Sequence, residues 1–248
     1  MITRDNIINY INGYLNSANV KDSSQNGLQV EGKEKINKIV FGVSANMELF
    51  KKAKAAGADM VVVHHGLFWS HGPLITGLFK RRVEFLIKND LNLAAWHLPL
   101  DMHPVVGNNA QIAKALGLKK ITPYGNYHGT DIGVYGTLAK LKTLAEIEKT
   151  LGLKANTKLA FGKAKISTVG IVSGGGYSMF EQFANRGADL FITGSSEEYV
   201  QEISRECKIN YMAVGHYNSE TYGVKALMKE VARKFGVKVE FIDVSNPL

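Results

Sequence analysis

The sequence predicts an α/β protein made of two similar α/β lobes, 1–124 and 125–248, that derive from one internal duplication. Two observations carry this expectation. Segments 36–66 and 166–196 match at a constant shift of 130, and each half continues into a further apolar run followed by a helical stretch. Self-similarity at a fixed spacing is read before local propensity, because it sets the architecture.

The first copy, INKIVFGVSANMELFKKAKAAGADMVVVHHG, reads as strand, turn, helix, Gly-Ala-Asp and strand. Its apolar runs have the length of buried strands, and MELFKKAKAA has the spacing of an amphipathic helix. The second copy, ISTVGIVSGGGYSMFEQFANRGADLFITGSS, pairs Ile166 with Ile36, Phe180 with Phe50, and Gly187-Ala188-Asp189 with Gly57-Ala58-Asp59. After a helix opened by Lys80, Arg81 and Arg82, the first half runs on as LNLAAWHLPLD at 91–101. The second half runs on as INYMAVGHYNSE at 209–220; one extra residue aligns His97 with His216 and Asp101 with Glu220. TPYGNYHGTD at 122–131 carries the turn residues expected where two lobes meet. TLAE at 143–146 and SSEE at 195–198 are candidate capping boxes, each opening a helix.

With 248 residues, 45% of them hydrophobic, the chain can bury a sizeable core. One cysteine, Cys207, allows no internal disulfide and suits a reducing compartment. The amino terminus has no uninterrupted apolar segment of a signal peptide, and no run approaches a membrane span. A cytoplasmic location is expected, without a membrane partner. Thirty Lys and Arg stand against 22 Asp and Glu, a net charge of +8. That balance suits a nucleotide or another phosphorylated small molecule; because the lysines are scattered, nucleic acid is less favoured.

Three groups can do chemistry. His64 and His65 end the run Val61–Val63, His97 precedes Asp101 by four residues, and His216 precedes Glu220 by four. All fall at carboxyl ends of predicted strands, where open α/β sheets place their ligands. Each has a plainer role when taken alone: adjacent histidines are often solvated, His97 can pack beside Trp96 while Asp101 caps a turn, and Glu220 suits a helix amino end. If the strand stops at Val63, both histidines lie on the turn. Pro99 argues that His97 and Asp101 sit on a loop, and the second helix is expected to begin near Glu220. The second half has Gly194-Ser195 where the first has His64-His65, so two equivalent sites are not expected. One composite metal site between the lobes accounts for the pattern, using His64, His65, Asp101, His216 and Glu220. Imidazole and carboxylate without thiolate suit Zn, Fe, Mn, Co or Ni. Five ligands match two divalent ions about 3.5–4 Å apart. The run Gly174-Gly175-Gly176 reads either as a tight turn, the favoured reading, or as a phosphate-binding loop.

HHG at 64–66, HLPLD at 97–101 and GHYNSE at 215–220 resemble the NIF-three-like, YbgI-type dinuclear metal proteins, as do DSSQNGLQVEG at 22–32 and SGGGYS at 173–178. Members of that family carry the name type 2 GTP cyclohydrolase I homologue. The resemblance spans nearly the whole chain. It implies a two-lobed α/β subunit in a ring-shaped homohexamer, with two divalent ions per chain on His64, His65, Asp101, His216 and Glu220. It also implies His97 as a nearby site residue. The family often has an acidic residue directly after Thr-Gly in the second lobe; here Ser195 follows Thr193-Gly194, with Glu197 and Glu198 close by. The leading functional expectation is a metal-dependent hydrolase of a nucleotide, opening the imidazole ring of GTP, with His97 as a catalytic proton shuttle. Two alternatives stay open: a non-catalytic metal-binding regulatory or scaffold protein, and a dimetal phosphoesterase or nuclease that binds DNA.

Overall fold

A computed structural model describes residues 2–70 and 72–248. The chain forms two compact units, Met1–Leu100 with Val224–Ser245, and Asp101–Gly223 with Asn246–Leu248.

The first unit opens with β1 (Ile2–Thr3) and α1 (Arg4–Tyr14), whose buried Ile7, Ile8 and Ile11 recur at helical spacing. Then come β2 (Gly27–Val30), β3 (Lys35–Ile36), β4 (Lys38–Ser44), α2 (Met47–Ala55), β5 (Met60–His65), α3 (Gly77–Lys88) and β6 (Asn92–Ala95). α2 is the amphipathic helix the repeat predicts. Asn46 Oδ1 caps it by accepting from the Leu49 N–H at 2.8 Å, and Leu49, Phe50 and Ala53 point inward. Its inward face meets the central strands in a core that includes Val40, Val61, Val63 and Leu93.

The chain continues through α4 (Leu98–Asp101), α5 (Asn108–Leu116), β7 (Leu118–Tyr127), β8 (Thr130–Lys142), α6 (Leu144–Leu151), β9 (Thr157–Ala160) and β10 (Ile166–Val172). It then forms α7 (Phe180–Asn185), β11 (Leu190–Thr193), α8 (Val200–Cys207), β12 (Asn210–Ala213), α9 (His216–Phe235) and β13 (Lys238–Phe241). The second unit has its own core, with Ile112, Ile147, Ile171, Ile192 and Met212 among its buried members. No helix among the described residues is long and apolar enough to cross a membrane.

The first sheet has the order β13-β4-β5-β6-β2, parallel except for β2. The second has the order β7-β8-β10-β11-β12-β9, with β10, β11 and β12 parallel and β9 antiparallel at the edge. The duplication holds to the residue: Ile39 pairs with Met60, and Val169 with Leu190, each 130 positions on. It holds to the atom as well. Asp59 accepts from Lys33 Nζ and from the N–H groups of Asn37 and Lys38; Asp189 accepts from Lys163 Nζ and from the N–H groups of Ser167 and Thr168. Asn92 and Asn210 sit on the next strand of each sheet, donating to the carbonyls of Asp59 and Asp189 respectively. The Gly-Ala-Asp of each copy therefore ties the start of one strand to the two beside it.

Three expectations need correction. The division expected at 124/125 falls inside β7, and 122–131 is a hairpin turning at His128 (φ 51°) and Gly129 (φ 90°). The last strand, β13, belongs to the first sheet and not to a 125–248 lobe, because it pairs with β4. The Thr143–Glu146 capping box forms, but the one expected at Ser195 and Glu198 does not: α8 starts at Val200, and the Ser195 hydroxyl is committed to His216.

Candidate metal centre

In the first unit β5 runs on through both histidines and does not stop at Val63, and neighbours on a strand point to opposite faces. His64 is buried and His65 is half-buried. They are not directed apart, however: their ring centroids are 4.6 Å apart, at an interplanar angle of 47°. His97 joins them from the residue before α4, and one ring nitrogen from each of the three lies within 4.8 Å of the others. Trp69 stands edge-on to His97, with centroids 5.0 Å apart.

Each of these rings is engaged at Nδ1. His64 Nδ1 lies 3.0 Å from the Trp96 carbonyl, which only accepts, so Nδ1 carries the hydrogen and Nε2 the lone pair. His65 Nδ1 is 3.2 Å from Ser44 Oγ, and His97 Nδ1 is 2.9 Å from Asp22 Oδ1. An outer partner on one nitrogen is what sets an imidazole to ligate through the other.

The second unit supplies Asp101, His216 and Glu220. α9 begins at His216, four residues before the expected start near Glu220. The pair is thus a helical i, i+4 pair on one face, with His216 Nε2 3.1 Å from Glu220 Oε1. Ser195 Oγ lies 3.1 Å from His216 Nδ1, repeating the outer-partner arrangement. Asp101 ends α4, a single helical turn rather than the expected loop. Pro99 is accommodated because it sits in the first turn, where its missing N–H would have no intrahelical partner. Asn108 Nδ2 donates to Asp101 Oδ1 at 2.8 Å and Ser173 Oγ donates to the same oxygen at 2.9 Å. Asp101 and Glu220 are both buried, and a carboxylate oxygen of each lies within 4.8 Å of the other.

The glycine run takes the tight-turn reading. Gly174 has φ 63°, and a Cβ there would fall 2.3 Å from Glu220 Oε1 and 3.1 Å from His216 Nε2. Glycine lets the backbone approach the carboxylate closely. A single 3-10 turn, Gly176–Met179, and the six-residue α7 follow, which is too little helix for a phosphate-binding terminus. Glu197 and Glu198 are exposed, and Ser195 fills the place beside His216.

The donor chemistry fits divalent ions. Nitrogen and oxygen ligands without thiolate suit Zn, Fe, Mn, Co or Ni. Two buried carboxylates this close repel each other, and a divalent cation offsets both charges. The residues named from the sequence thus gather as His64 and His65 beside His97 in one unit, and as Asp101, His216 and Glu220 in the other. Asp22, Ser44, Ser173 and Ser195 escaped the sequence reading as individual partners. Short polar side chains far along the chain leave no periodic signal. Asp22 heads the segment DSSQNGLQVEG, 75 residues before His97.

The profile of a family described as Duf34/NIF3 (NGG1p interacting factor 3) matches residues 2–247. A protein of Pyrococcus horikoshii named GTP cyclohydrolase 1 type 2 homolog is 42% identical over 248 residues, 98% of each chain. One of the same name from Archaeoglobus fulgidus is 41% identical over 242 residues, again 98% of each. Among solved structures, protein ybgI, described as of unknown function, matches with a TM-score of 0.93 at 38% identity and covers all of both chains.

Proposed function

This chain belongs to the Duf34/NIF3 family, and on that premise we propose that it is a dinuclear metal-dependent hydrolase of a nucleotide, with GTP ring opening as the leading reaction. The observation that carries the reading is the preparation of the histidines: all four engage a partner at Nδ1, which leaves Nε2 as the remaining nitrogen for a ligand or a proton. His64, His65, Asp101, His216 and Glu220 would hold the two ions. When bound, such ions lower the pKa of coordinated water and polarise the bond under attack.

The remaining work falls to the chain. Trp96 and Ser44 orient His64 and His65, while Asn108 and Ser173 orient Asp101. His97 takes or returns a proton at Nε2, a contribution of about 10²–10⁴ in rate for a well-placed group. Trp69 packs T-shaped against that ring, with centroids 5.0 Å apart. The name carried by the relatives makes GTP the first substrate to test, and the net charge of +8 suits its phosphates. A homohexameric, cytoplasmic protein completes the proposal.

The test joins metal analysis of the purified protein to a turnover screen over nucleotides and phosphodiesters. The expected result is two divalent ions per chain and hydrolysis of GTP. Fewer than two ions under metal-replete conditions would overturn the dinuclear site. Two ions with turnover of phosphodiesters alone would move the activity to a phosphoesterase.

A further inference from the structure

The segment Asp22–Asn26 has no part in the metal set, yet it grips the chain at His97. Asp22 Oδ1 lies 2.9 Å from His97 Nδ1 and accepts from the Ser24 N–H at 3.0 Å. Its Oδ2 accepts from the Leu98 N–H at 2.9 Å and from Asn26 Nδ2 at 3.0 Å. Asn26 completes the grip, its Oδ1 accepting from the His97 N–H at 2.8 Å. Ring and backbone of His97 are thus held by one short loop. The Asp22 side chain is 1% exposed and that of His97 21%, so the anchor is dry while the ring reaches its surroundings.

An ionised carboxylate accepts and cannot donate. Burial would raise the Asp22 carboxyl, but hydrogen bonds from His97, Asn26 and Ser24 outweigh it and hold the group down at about 2. Four donors fill the acceptor sites of this one buried carboxylate and so fix its orientation beside the His97 ring.

We propose that Asp22 is a positioning residue that fixes His97 in the Nδ1–H tautomer and thereby makes Nε2 its proton-handling atom. The inference rests on the hydrolase reading only for the use made of Nε2; the tautomer is a property of the protein without substrate. The logic matches an aspartate that orients a general-base histidine without itself taking up the proton.

The test is ¹⁵N–¹H correlation of the histidine rings in the full chain, metal-free and with added Zn²⁺. His97 is identified by the signal lost in His97→Gln. Wild-type His97 is expected with its hydrogen on Nδ1. In Asp22→Ala the hydrogen should move toward Nε2, and kcat should fall about 10²–10³-fold with KM and metal content kept. Asp22→Asn serves if the alanine variant does not fold, with a smaller shift in the same direction. A wild-type ring carrying its hydrogen on Nε2 overturns the inference with no variant at all. So does an unchanged His97 tautomer in a folded Asp22→Ala protein. If the tautomer behaves as expected but no nucleotide is turned over, Asp22 keeps its positioning role and the hydrolase reading falls.

Discussion

Nε2 of His216 lies 3.1 Å from Oε1 of Glu220, one helical turn further along α9. Asp101 brings a second buried carboxylate to within 4.8 Å of the first. A ligand that binds only the folded state stabilises it by about 2.7 kcal/mol at a hundredfold excess over its Kd. Zn²⁺ added to chelator-treated protein should therefore raise the melting temperature by several degrees. Glu220→Gln removes one anionic ligand and one member of a like-charge pair, so the metal-free protein should lose little stability while the Zn²⁺-induced shift shrinks by at least half. Calorimetric melts with and without Zn²⁺ check this. An undiminished shift in Glu220→Gln would exclude Glu220 as a ligand.

Gly174→Ala tests the same corner from the backbone. The new methyl would lie 2.3 Å from Glu220 Oε1, at a φ of 63° that costs a non-glycine residue about 1 kcal/mol or more. The variant should unfold at lower denaturant, by about 1–3 kcal/mol, and bind less metal. Gly187→Ala is the control: it shares a positive φ of 79° but has open space around its Cβ. It should lose stability and keep its full metal content. Equal metal loss in both would mean that φ alone, and not the approach to Glu220, sets the requirement at Gly174.

Much of this was legible in the sequence because the duplication makes each half a witness for the other. Asp59 and Asp189 stand out at the same offset, and the structure gives them the same three donors. The membership of β13 was not legible: VKVEF looks the same whichever sheet it joins, and β4 takes it by a parallel pairing some 200 residues away in sequence. Local rules also misplaced the helix starts at the site. Pro99 reads as a breaker, though the first turn accepts it, and the charge of Glu220 suggests a helix start that His216 occupies. The His97–Asp22 contact has no local signature, since it depends on how a loop at 22–26 folds back across 75 residues.

The capping box at Thr143 offers a local measure of stability in the second unit. Glu146 N–H donates to Thr143 Oγ1 at 3.2 Å, and the Thr143 N–H donates back to Glu146 Oε2 at 2.7 Å. Thr143→Ala removes the first bond and weakens the second, so it should cost about 1 kcal/mol in denaturant unfolding. Metal content and turnover should not change. Ser196→Ala, which removes a hydroxyl bond to Thr157 Oγ1 but no helix cap, should cost less. No loss in Thr143→Ala would show that the box adds nothing to the stability of this helix.

The twin aspartates set how stability responds to acid. Burial raises the carboxyl of each, but the lysine and two backbone N–H donors outweigh it, so both Asp59 and Asp189 lie below the ordinary aspartate value. A carboxyl depressed on folding binds fewer protons in the native than in the unfolded state. Its contribution is complete above the unfolded pKa of about 3.9 and is lost as pH falls through the lower native value. Asp59→Asn and Asp189→Asn should each lower stability by about 1–3 kcal/mol near neutral pH, since buried backbone donors then lose a charged acceptor. The lysine partners are well exposed, so most of that loss comes from the backbone bonds and little from the ion pair. Between about pH 6 and pH 3 each variant should lose less stability than wild type. Urea unfolding at the two pH values measures the difference. A variant that loses as much as wild type on acidification would show that its aspartate is not among the groups driving acid unfolding.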